Sequence, residues 1–455
     1  MSASALMMPP TDRATTVWPR SALVVGLGKS GYSAVRFLLA RGVRVAATDS
    51  RAEPPELPKL AGLPVRVRCG GFDASLLDEA ELVVISPGVA ARGAFFEQVR
   101  ARGLPLIGDI ELFARAVQAP VVAITGTNGK STVTALLGAM ATHAGRRTRI
   151  GGNLGTPALE LLDAAAELYV LELSSYQLES TLHLPLLAGA VLNVTPDHLD
   201  RYADLEAYAA AKARLYAQCE WPVVNLDDAR VAAMLPAGQR RLSFSLDDTR
   251  GADYTLSGSG AEAQLLCRGE RLIGLAALKL SGRHNAANAL AALALAEALA
   301  LPRAPCLEAL REFAGLPHRT QWVAERAGVR YIDDSKGTNV GATLAAIAGF
   351  TQPLVLIAGG DGKGQDFAPL RAACAGKVRA VLLIGRDARR LGTVLEGACP
   401  CQYCDSLEAA VAAAAQRAKP GDIVLLSPAC ASLDMFRDYA ERGERFAQAV
   451  QRLAP

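Results

Sequence analysis

The chain has 455 residues, of which 51% are hydrophobic and 20% charged, with a formal net charge of +3. That length makes room for about three domains, and that apolar content excludes a disordered chain. So balanced a charge gives no ground for a nucleic-acid or membrane surface, and nine cysteines without a disulfide-like framework fit a reducing cytosol, so a cytoplasmic location is expected. Residues 1–20 contain Pro9, Pro10 and Asp12 and lack a continuous apolar core, so no secretory signal is expected there. The most apolar long run, 286–301, is interrupted by Asn288 and Glu297 and reads as a buried helix, not a membrane span.

Residues 21–31, SALVVGLGKSG, read as a strand followed by G-x-G-x-x-G at Gly26, Gly28 and Gly31. A helix over 32–41 and a second strand over 43–48, ending at Asp49, complete a βαβ unit of the dinucleotide-binding kind. Such a unit can hold NAD, or another pyrophosphate, because a helix N-terminus recognises phosphate charge and not nicotinamide. A further strand over 81–85 runs into Ser86-Pro87-Gly88, at the end of a strand where ligands collect.

A second α/β unit begins near Ile110, and its first strand carries the most informative stretch of the chain. Residues 121–134, VVAITGTNGKSTVT, give a buried β-branched strand, a glycine turn and a helix opened by Ser131 and Thr132. Glycines let the backbone N–H groups turn inward, Lys130 can reach terminal phosphates, and the Ser131 hydroxyl can sit on Mg²⁺. The spacing from Gly126 to Gly129-Lys130-Ser131 is shorter than in the general phosphate-loop pattern. An ordinary strand-to-helix turn carrying a lysine is the plainer alternative. Residues 151–157 read as a flexible loop containing Asn153. A strand over 168–173 carries Glu172 and leads to Ser174-Ser175-Tyr176-Gln177. Another over 188–194 leads to Thr195-Pro196-Asp197-His198-Leu199-Asp200. A helix over 205–219 carries Lys212, and Ser281 to Asn285 lead into the long Ala/Leu helix bearing Asn288.

A third α/β unit starts near Pro317. Strands over 328–332, 354–358, 378–384 and 422–426 are expected, with Asp334 and Lys336 after the first and Lys363 after the second. The last runs into Ser427-Pro428-Ala429-Cys430-Ala431-Ser432. Strands alternate with helical segments, so parallel sheets covered by helices are the default.

Glu172 and His198 lie just past apolar strands of the unit that holds the phosphate loop. Alone, they read as a capping carboxylate and a loop histidine. Beside Lys130 and Ser131 they read as Mg²⁺ ligands. Lys212 on its helix reads as a solvated cation. Cys399, Cys401 and Cys404 are closely spaced, but a tetrahedral zinc wants four ligands and the nearest histidine, His318, is far off in sequence, so structural or incidental thiols are expected.

In order along the chain, VGLGKSG, VVAITGTNGKSTVT, GGNLGTPAL, LYVLELSSYQLE, NVTPDHLDRY, LSGRHNAANALAALALA, GLPHR, DDSKGTNVGAT, AGGDGKGQDF and LLSPACASLDMF resemble the motifs of the Mur ligases. The short phosphate loop is that family's own form. The resemblance implies an α/β protein of three domains, with parallel-sheet, Rossmann-like outer lobes and a central P-loop ATPase-type domain. The boundaries expected are 1–109 for a UDP-sugar-binding domain, 110–316 for an ATP/Mg²⁺ domain and 317–455 for an amino-acid-binding domain. It implies an ATP-dependent ligase that joins D-glutamate to UDP-N-acetylmuramoyl-L-alanine through an acyl phosphate, for peptidoglycan precursors.

Residue by residue, the resemblance places Gly28, Lys29, Ser30 and Gly31 at the UDP diphosphate and Asp49, Ser50 and Arg51 on the uridine side; Ser86 and Gly88, at the strand-end turn, are also expected to meet substrate. Gly126, Thr127, Asn128, Gly129, Lys130, Ser131 and Thr132 hold ATP, with Asn285 and Asn288 near the adenine and Arg319 and Asp334 reaching the nucleotide. Ser131, Glu172, His198 and Lys212 bind metal, two Mg²⁺ ions being expected. Lys212 is carbamylated in this pattern, which turns a cation into a metal-binding carboxylate and reverses the reading as a solvated charge. Lys130, His198 and Lys212 are the expected catalytic residues. Asn153, Ser174 and Gln177 lie near the muramoyl-alanine part, and Lys336, Thr338, Lys363, Ser432 and Tyr439 surround the incoming glutamate. Partners are then small molecules only, with no nucleic acid and no membrane insertion, acting on a monomer. Three other readings stay open: a family member adding a different amino acid, an NAD-dependent oxidoreductase using the first glycine fingerprint, and a non-catalytic nucleotide-binding scaffold.

Overall fold

The computed structural model describes residues 17–198, 201–236, 238–280 and 282–453. The first sixteen residues, Leu199, Asp200 and Ser281, all named above, lie outside the described residues. The chain divides into two compact units, one running to Pro120 and adding Arg149–Pro185, the other made of Val121–Thr148 and the chain from Leu186 onward.

In the first unit a parallel sheet runs Val65–Cys69, Arg44–Asp49, Ser21–Val25, Leu82–Ile85, Leu106–Gly108. Its order reverses beside Ser21–Val25, which opens a crevice at the C-terminal strand ends. One face buries Leu23, Val25, Val83 and Ile85 against Phe95, Phe96 and Val99. The helix Lys29–Leu39 begins within that crevice, and Gly31 must be glycine because a Cβ there would overlap the carbonyl oxygen of Gly26. The unit also holds the strand Leu168–Glu172 and the short helix Ser175–Glu179.

The second unit holds two sheets. One runs Glu270–Gly274, Gln264–Cys267, Tyr254–Ser257, Leu242–Ser245, Cys219–Asn225, Leu186–Val191, Val121–Thr125. It is parallel from Val121–Thr125 to Tyr254–Ser257 and antiparallel beyond. The helix Arg283–Ala298 is apolar around most of its circumference and is buried accordingly. The other sheet runs Gln321–Arg326, Val329–Asp333, Ile423–Leu426, Leu354–Gly359, Val378–Ile384, Cys401–Tyr403, with only the first strand antiparallel. Both of its faces are covered, which is why its central strands are continuous apolar runs. Among the described residues no helix is long and apolar enough to cross a membrane.

Three local expectations change. The helix over 205–219 stops at Ala213, and Cys219–Asn225 is a strand. Pro222 bars a helix interior here, and the paired valines Val223 and Val224 favour a strand. The four short strands between Leu242 and Gly274 are not foreshadowed, because runs of four or five residues carry little periodicity. The loop over 151–157 begins inside a strand, Thr148–Gly152. Gly152 sits at φ +98, and a Cβ there would stand 2.5 Å from the carbonyl oxygen of Glu172.

Candidate active site

The phosphate loop leaves Val121–Thr125 at Gly126 and enters the helix Lys130–His143 through Gly129. Gly129 is left-handed at φ +85, and a Cβ would overlap Oδ1 of Asn288. The loop is held in shape by the strand end next to it. The Thr127 amide donates to Asn193 O (2.9 Å), the Asn128 amide to Asn193 Oδ1 (2.8 Å), and Asn193 Nδ2 to Asn128 O (3.0 Å). Thr195 N donates to Thr127 Oγ1 at 3.0 Å. Asn193 therefore fixes the cradle, although the sequence reading passed over it. Its place at the head of NVTPDH was the available signal.

Lys130 Nζ donates to the carbonyls of Gly126 (3.0 Å) and Thr127 (2.9 Å). Lys212, expected from its residue type to be solvated, is buried at 1% exposure. Its Nζ donates to the same Gly126 oxygen at 2.9 Å and stands 4.4 Å from the ring centroid of Tyr208. The reason is local. Asp204 caps the helix Leu205–Ala213 by accepting from the Ala207 amide (2.7 Å), and the helix turns Lys212 inward beneath the loop. Two ammonium groups thus converge on one carbonyl oxygen, an arrangement that favours a polyanion above it.

His198 is left-handed, at φ 57. Burial holds its imidazole below the usual histidine value; Asp197 opposes this, while the nearby cations Lys363, Lys212 and Lys130 reinforce it. A neutral imidazole is the form that can ligate a metal. Asp197 Oδ2 also accepts from Asn339 Nδ2 at 3.2 Å, and Asn339 Nδ2 reaches Asn128 Oδ1 at 3.3 Å. Asn339 also caps the helix Val340–Gly349 through Ala342 N (2.8 Å), so one side chain ties that helix to the phosphate loop.

Arg319 Nη2 donates to Ser131 Oγ at 2.6 Å. A cavity of about 290 Å³ opens here, lined among others by Asn128, Asn285, Asn288, Arg319, Asp334 and Lys336. Asp334 is buried, with Oδ2 accepting from Ser427 Oγ (2.8 Å) and Oδ1 from the Thr320 amide (3.1 Å). His284 Nε2 lies 3.3 Å from Thr320 Oγ1, and burial pushes its imidazole down to about 4.

Burial pushes the Asp334 carboxyl up to about 7 from an ordinary 3.8, against the hydrogen bonds from Ser427 and Thr320. Between those two values the folded protein keeps a proton that the unfolded chain has lost. Stability from this group is complete below the lower value and is lost as pH rises to the upper one. The melting temperature of wild type minus that of Asp334→Asn is therefore expected to fall as pH rises from about 4 to about 7. A difference that is flat in calorimetry across this range would contradict the assignment.

The residues expected around the incoming glutamate lie on loops at the strand ends of the second sheet and at the start of the helix Tyr439–Gln451. Lys336 Nζ stands 3.7 Å from the ring centroid of Tyr439, and the Thr338 amide donates to Lys336 O at 2.8 Å. Ser432 is buried, whereas Lys363 stands on a left-handed backbone, its amide donating to Asp361 Oδ1 at 3.0 Å. The sequence reading missed the group that braces these loops. Arg442 is fully buried, with Nε donating to Ser335 Oγ (2.9 Å), Nη2 to Ser335 O (2.7 Å), and both Nη atoms to Cys430 O (3.2 Å). Burial lowers its guanidinium to about 10. Arg442→Met leaves two buried carbonyls without this donor and is expected to cost about 3 kcal/mol in urea unfolding. An unchanged unfolding midpoint would contradict that bracing role.

In the first unit, Gly28 precedes the helix Lys29–Leu39, and Lys29 is exposed at its start. Asp49 is buried, and its carboxylate accepts from the Leu27 amide (2.7 Å), the Arg51 amide (2.8 Å) and the Arg51 guanidinium (2.7 and 2.9 Å). It braces the glycine turn, while Ser50 is exposed. Ser86 Oγ donates to Gly26 O at 2.8 Å, and Gly88 is exposed. Ser30 and Gln177 both hydrogen-bond the buried Asp109 carboxyl, which burial pushes up. Ser174 and Gln177 form a capping box on Ser175–Glu179. Glu172 is buried at its strand end and accepts from Asn153 Nδ2 at 2.7 Å.

The glycine cradle, its two lysines and the buried Ser131 hydroxyl fit a nucleoside triphosphate with a divalent cation. Lys212 fits a metal only as an anionic adduct, since an ammonium cannot ligate.

Three family models match the chain in order: a Mur ligase MurD-like N-terminal domain over 20–108, a Mur ligase middle domain over 124–296, and a Mur ligase glutamate ligase domain over 318–430. The chain is 52% identical to the UDP-N-acetylmuramoylalanine--D-glutamate ligase of Nitrosococcus oceani, over 95% of this chain and 97% of that one. It is 51% identical to the enzyme of the same name from Pseudomonas syringae pv. tomato, over 96% and 98%. The fold resembles UDP-N-acetylmuramate-alanine ligase of Thermotoga maritima, with a TM-score of 0.61 at 20% identity over 95% and 99% of the two chains. It also resembles MurF from Acinetobacter baumannii, with a TM-score of 0.62 at 18% identity over 95% and 90%. With half of its positions shared across nearly the whole length of such relatives, the chain belongs to the Mur ligase family.

Proposed function

We infer that this protein is an ATP-dependent ligase that adds D-glutamate to UDP-N-acetylmuramoyl-L-alanine, giving ADP and phosphate, in cytoplasmic peptidoglycan precursor synthesis. The observation that carries the reading is the convergence of Lys130 and Lys212 on the Gly126 carbonyl beneath a glycine cradle. Half-identity with relatives of that name supplies the substrates.

In the first step the substrate carboxylate oxygen attacks the γ-phosphorus of ATP, and ADP leaves. In the second the glutamate amine attacks the acyl carbon, passes through a tetrahedral intermediate, loses a proton and expels phosphate. Two anions meet in the first step, so a fixed cation must offset their repulsion. Lys130 is placed for that task and for alignment of the attack. Mg²⁺, when bound, supplies charge neutralisation at the phosphates. Ser131, His198 and a carbamylated Lys212 are its proposed ligands, the family pattern adding Glu172 and a second ion. Lys336 and Lys363 are cations suited to a dicarboxylic amino acid, with Thr338, Ser432 and Tyr439 beside them. Asn285, Asn288, Arg319 and Asp334 are assigned to the nucleotide. Residues 28–31, 49–51, Ser86 and Gly88 are assigned to the UDP part, and Asn153, Ser174 and Gln177 to the muramoyl-alanine part. Domain limits of 1–109, 110–316 and 317–455 and a monomeric state belong to the same proposal.

The test is phosphate release from ATP. It is expected only when UDP-N-acetylmuramoyl-L-alanine and D-glutamate are both present, with L-glutamate inert. Turnover with another amino acid in place of D-glutamate would move the protein to another branch of the family.

A further inference from the structure

We propose that Asn339 is a positioning residue of the ligase reaction, whose side-chain amide holds the loops of the amino-acid side in register with the phosphate loop and with the turn that carries His198. The inference rests on the ligase reading, which gives this residue of DDSKGTNVGAT no part. Asn339 is buried, at 4% exposure. Lys336 and Thr338, assigned to the glutamate, precede it on its own loop. The next amide, of Val340, donates to Gln365 Oε1 at 3.0 Å. Gln365 is fastened through its amide (2.9 Å) and its Nε2 (3.0 Å) to Gly362 O, in the turn that bears Lys363. Asn339 thus stands where both lysine-bearing loops join the helix Val340–Gly349.

Both polar atoms of the side chain are engaged. Oδ1 accepts from the Ala342 amide at 2.8 Å, which caps the helix, and lies 3.5 Å from Asn128 Nδ2. Nδ2 donates to Asp197 Oδ2 (3.2 Å) and to Asn128 Oδ1 (3.3 Å). The other Asp197 oxygen accepts from the His198 amide at 2.9 Å, so the same carboxylate links Asn339 to the His198 backbone. Asn128 belongs to the phosphate loop, and its own amide is held by Asn193. The helix start also approaches this brace closely. A Cβ on Gly341 would stand 2.9 Å from Thr195 Oγ1, and the Thr195 amide is the one that bonds Thr127.

A helix cap needs only the oxygen, and serine or aspartate supplies one as well as asparagine does. The cap therefore does not account for the amide. The two acceptors facing Nδ2 do, because an amide alone can donate to Asn128 and Asp197 while its oxygen keeps the cap. The proposed reaction brings an acid, a phosphate and an amine together, and a misplacement of about 1 Å in such an alignment can cost about a hundredfold in rate. A buried side chain bonded to the phosphate loop on one side, and continuous with the glutamate loops on the other, sets that alignment.

The experiment separates the cap from the tie and uses the full chain. Asn339→Ser keeps an acceptor for the Ala342 amide but loses the reach to Asn128 and Asp197. Asn339→Asp keeps the acceptor and sets a second carboxylate against Asp197. Both variants should melt within a few degrees of wild type. Their kcat should fall about tenfold and about a hundredfold respectively, with the KM for UDP-N-acetylmuramoyl-L-alanine unchanged. Adding Asp197→Asn to Asn339→Asp restores the amide–carboxylate bond in the opposite sense and should regain about tenfold in kcat. Hydrogen exchange without substrates should show the amides of 126–130 exchanging about tenfold faster in Asn339→Asp and slowing again in the double variant. That measurement reads the tie even if the wild type does not turn over these substrates, so failure of the ligase reading is told apart from failure of this role. Wild-type kcat and exchange in Asn339→Asp, a double variant no better than Asn339→Asp alone, or loss of folding in Asn339→Ser would overturn the proposal.

Discussion

Lys130→Ala is expected to lower ligase turnover by about a thousandfold or more with the fold intact. The side chain begins the helix Lys130–His143 and folds back so that Nζ meets the carbonyls of Gly126 and Thr127. It therefore contributes a fixed charge at the loop and little to the apolar core. Removing it leaves the cradle held by Asn193 and Thr195, so the melting temperature should change by only a few degrees. The loss should fall on kcat, because the charge matters most when the carboxylate and the γ-phosphate are brought together. Wild-type turnover in a folded Lys130→Ala protein would remove the role assigned to this residue.

Lys212→Ala is expected to be nearly inactive, by about a hundredfold or more, and to regain part of its activity when acetate or formate is added. The neutral amine of Lys212 would attack CO₂, forming an N–C bond and releasing a proton, and the resulting carbamate would present two oxygens to a metal. Burial of Lys212 would keep water from the adduct, and its place at the Gly126 carbonyl would bring the carbamate to the phosphate loop. Arginine cannot form the adduct, so Lys212→Arg should stay inactive with and without the added acid. ¹³C-bicarbonate should label wild type with a carbamate signal absent from both variants. A wild-type rate in Lys212→Ala, or rescue of Lys212→Arg by bicarbonate, would refute the carbamate role.

The parts of this molecule most legible in its sequence are those written by short-range rules. A β-branched strand, glycine turn and Ser/Thr helix start announced the phosphate cradle at residues 121–134 because each element has its own local signature. Asp49 was legible as an acidic residue at a strand end, but its use was not. In the fold its oxygens go to Leu27 and Arg51, a pairing that no pattern in the sequence displays. Lys212 shows the limit most clearly, since a lysine on a helix reads as solvated until the helix is placed. Arg442 went unnoticed for the same reason. The acceptors it serves, the carbonyl and hydroxyl of Ser335 and the carbonyl of Cys430, lie more than ten residues away along the chain. The strands between Leu242 and Gly274 were too short to register, their pairing being decided by neighbours and not by their own residues.

The central claim is that a triphosphate rests on the loop around Lys130, and the most direct test is a structure with a non-hydrolysable ATP analogue and Mg²⁺. The account predicts phosphates on the backbone amides of Gly126–Thr132, with the base in the cavity lined by Asn285 and Asn288. A nucleotide seated instead on the glycine turn at Gly26–Gly31, with the Lys130 loop empty, would contradict it.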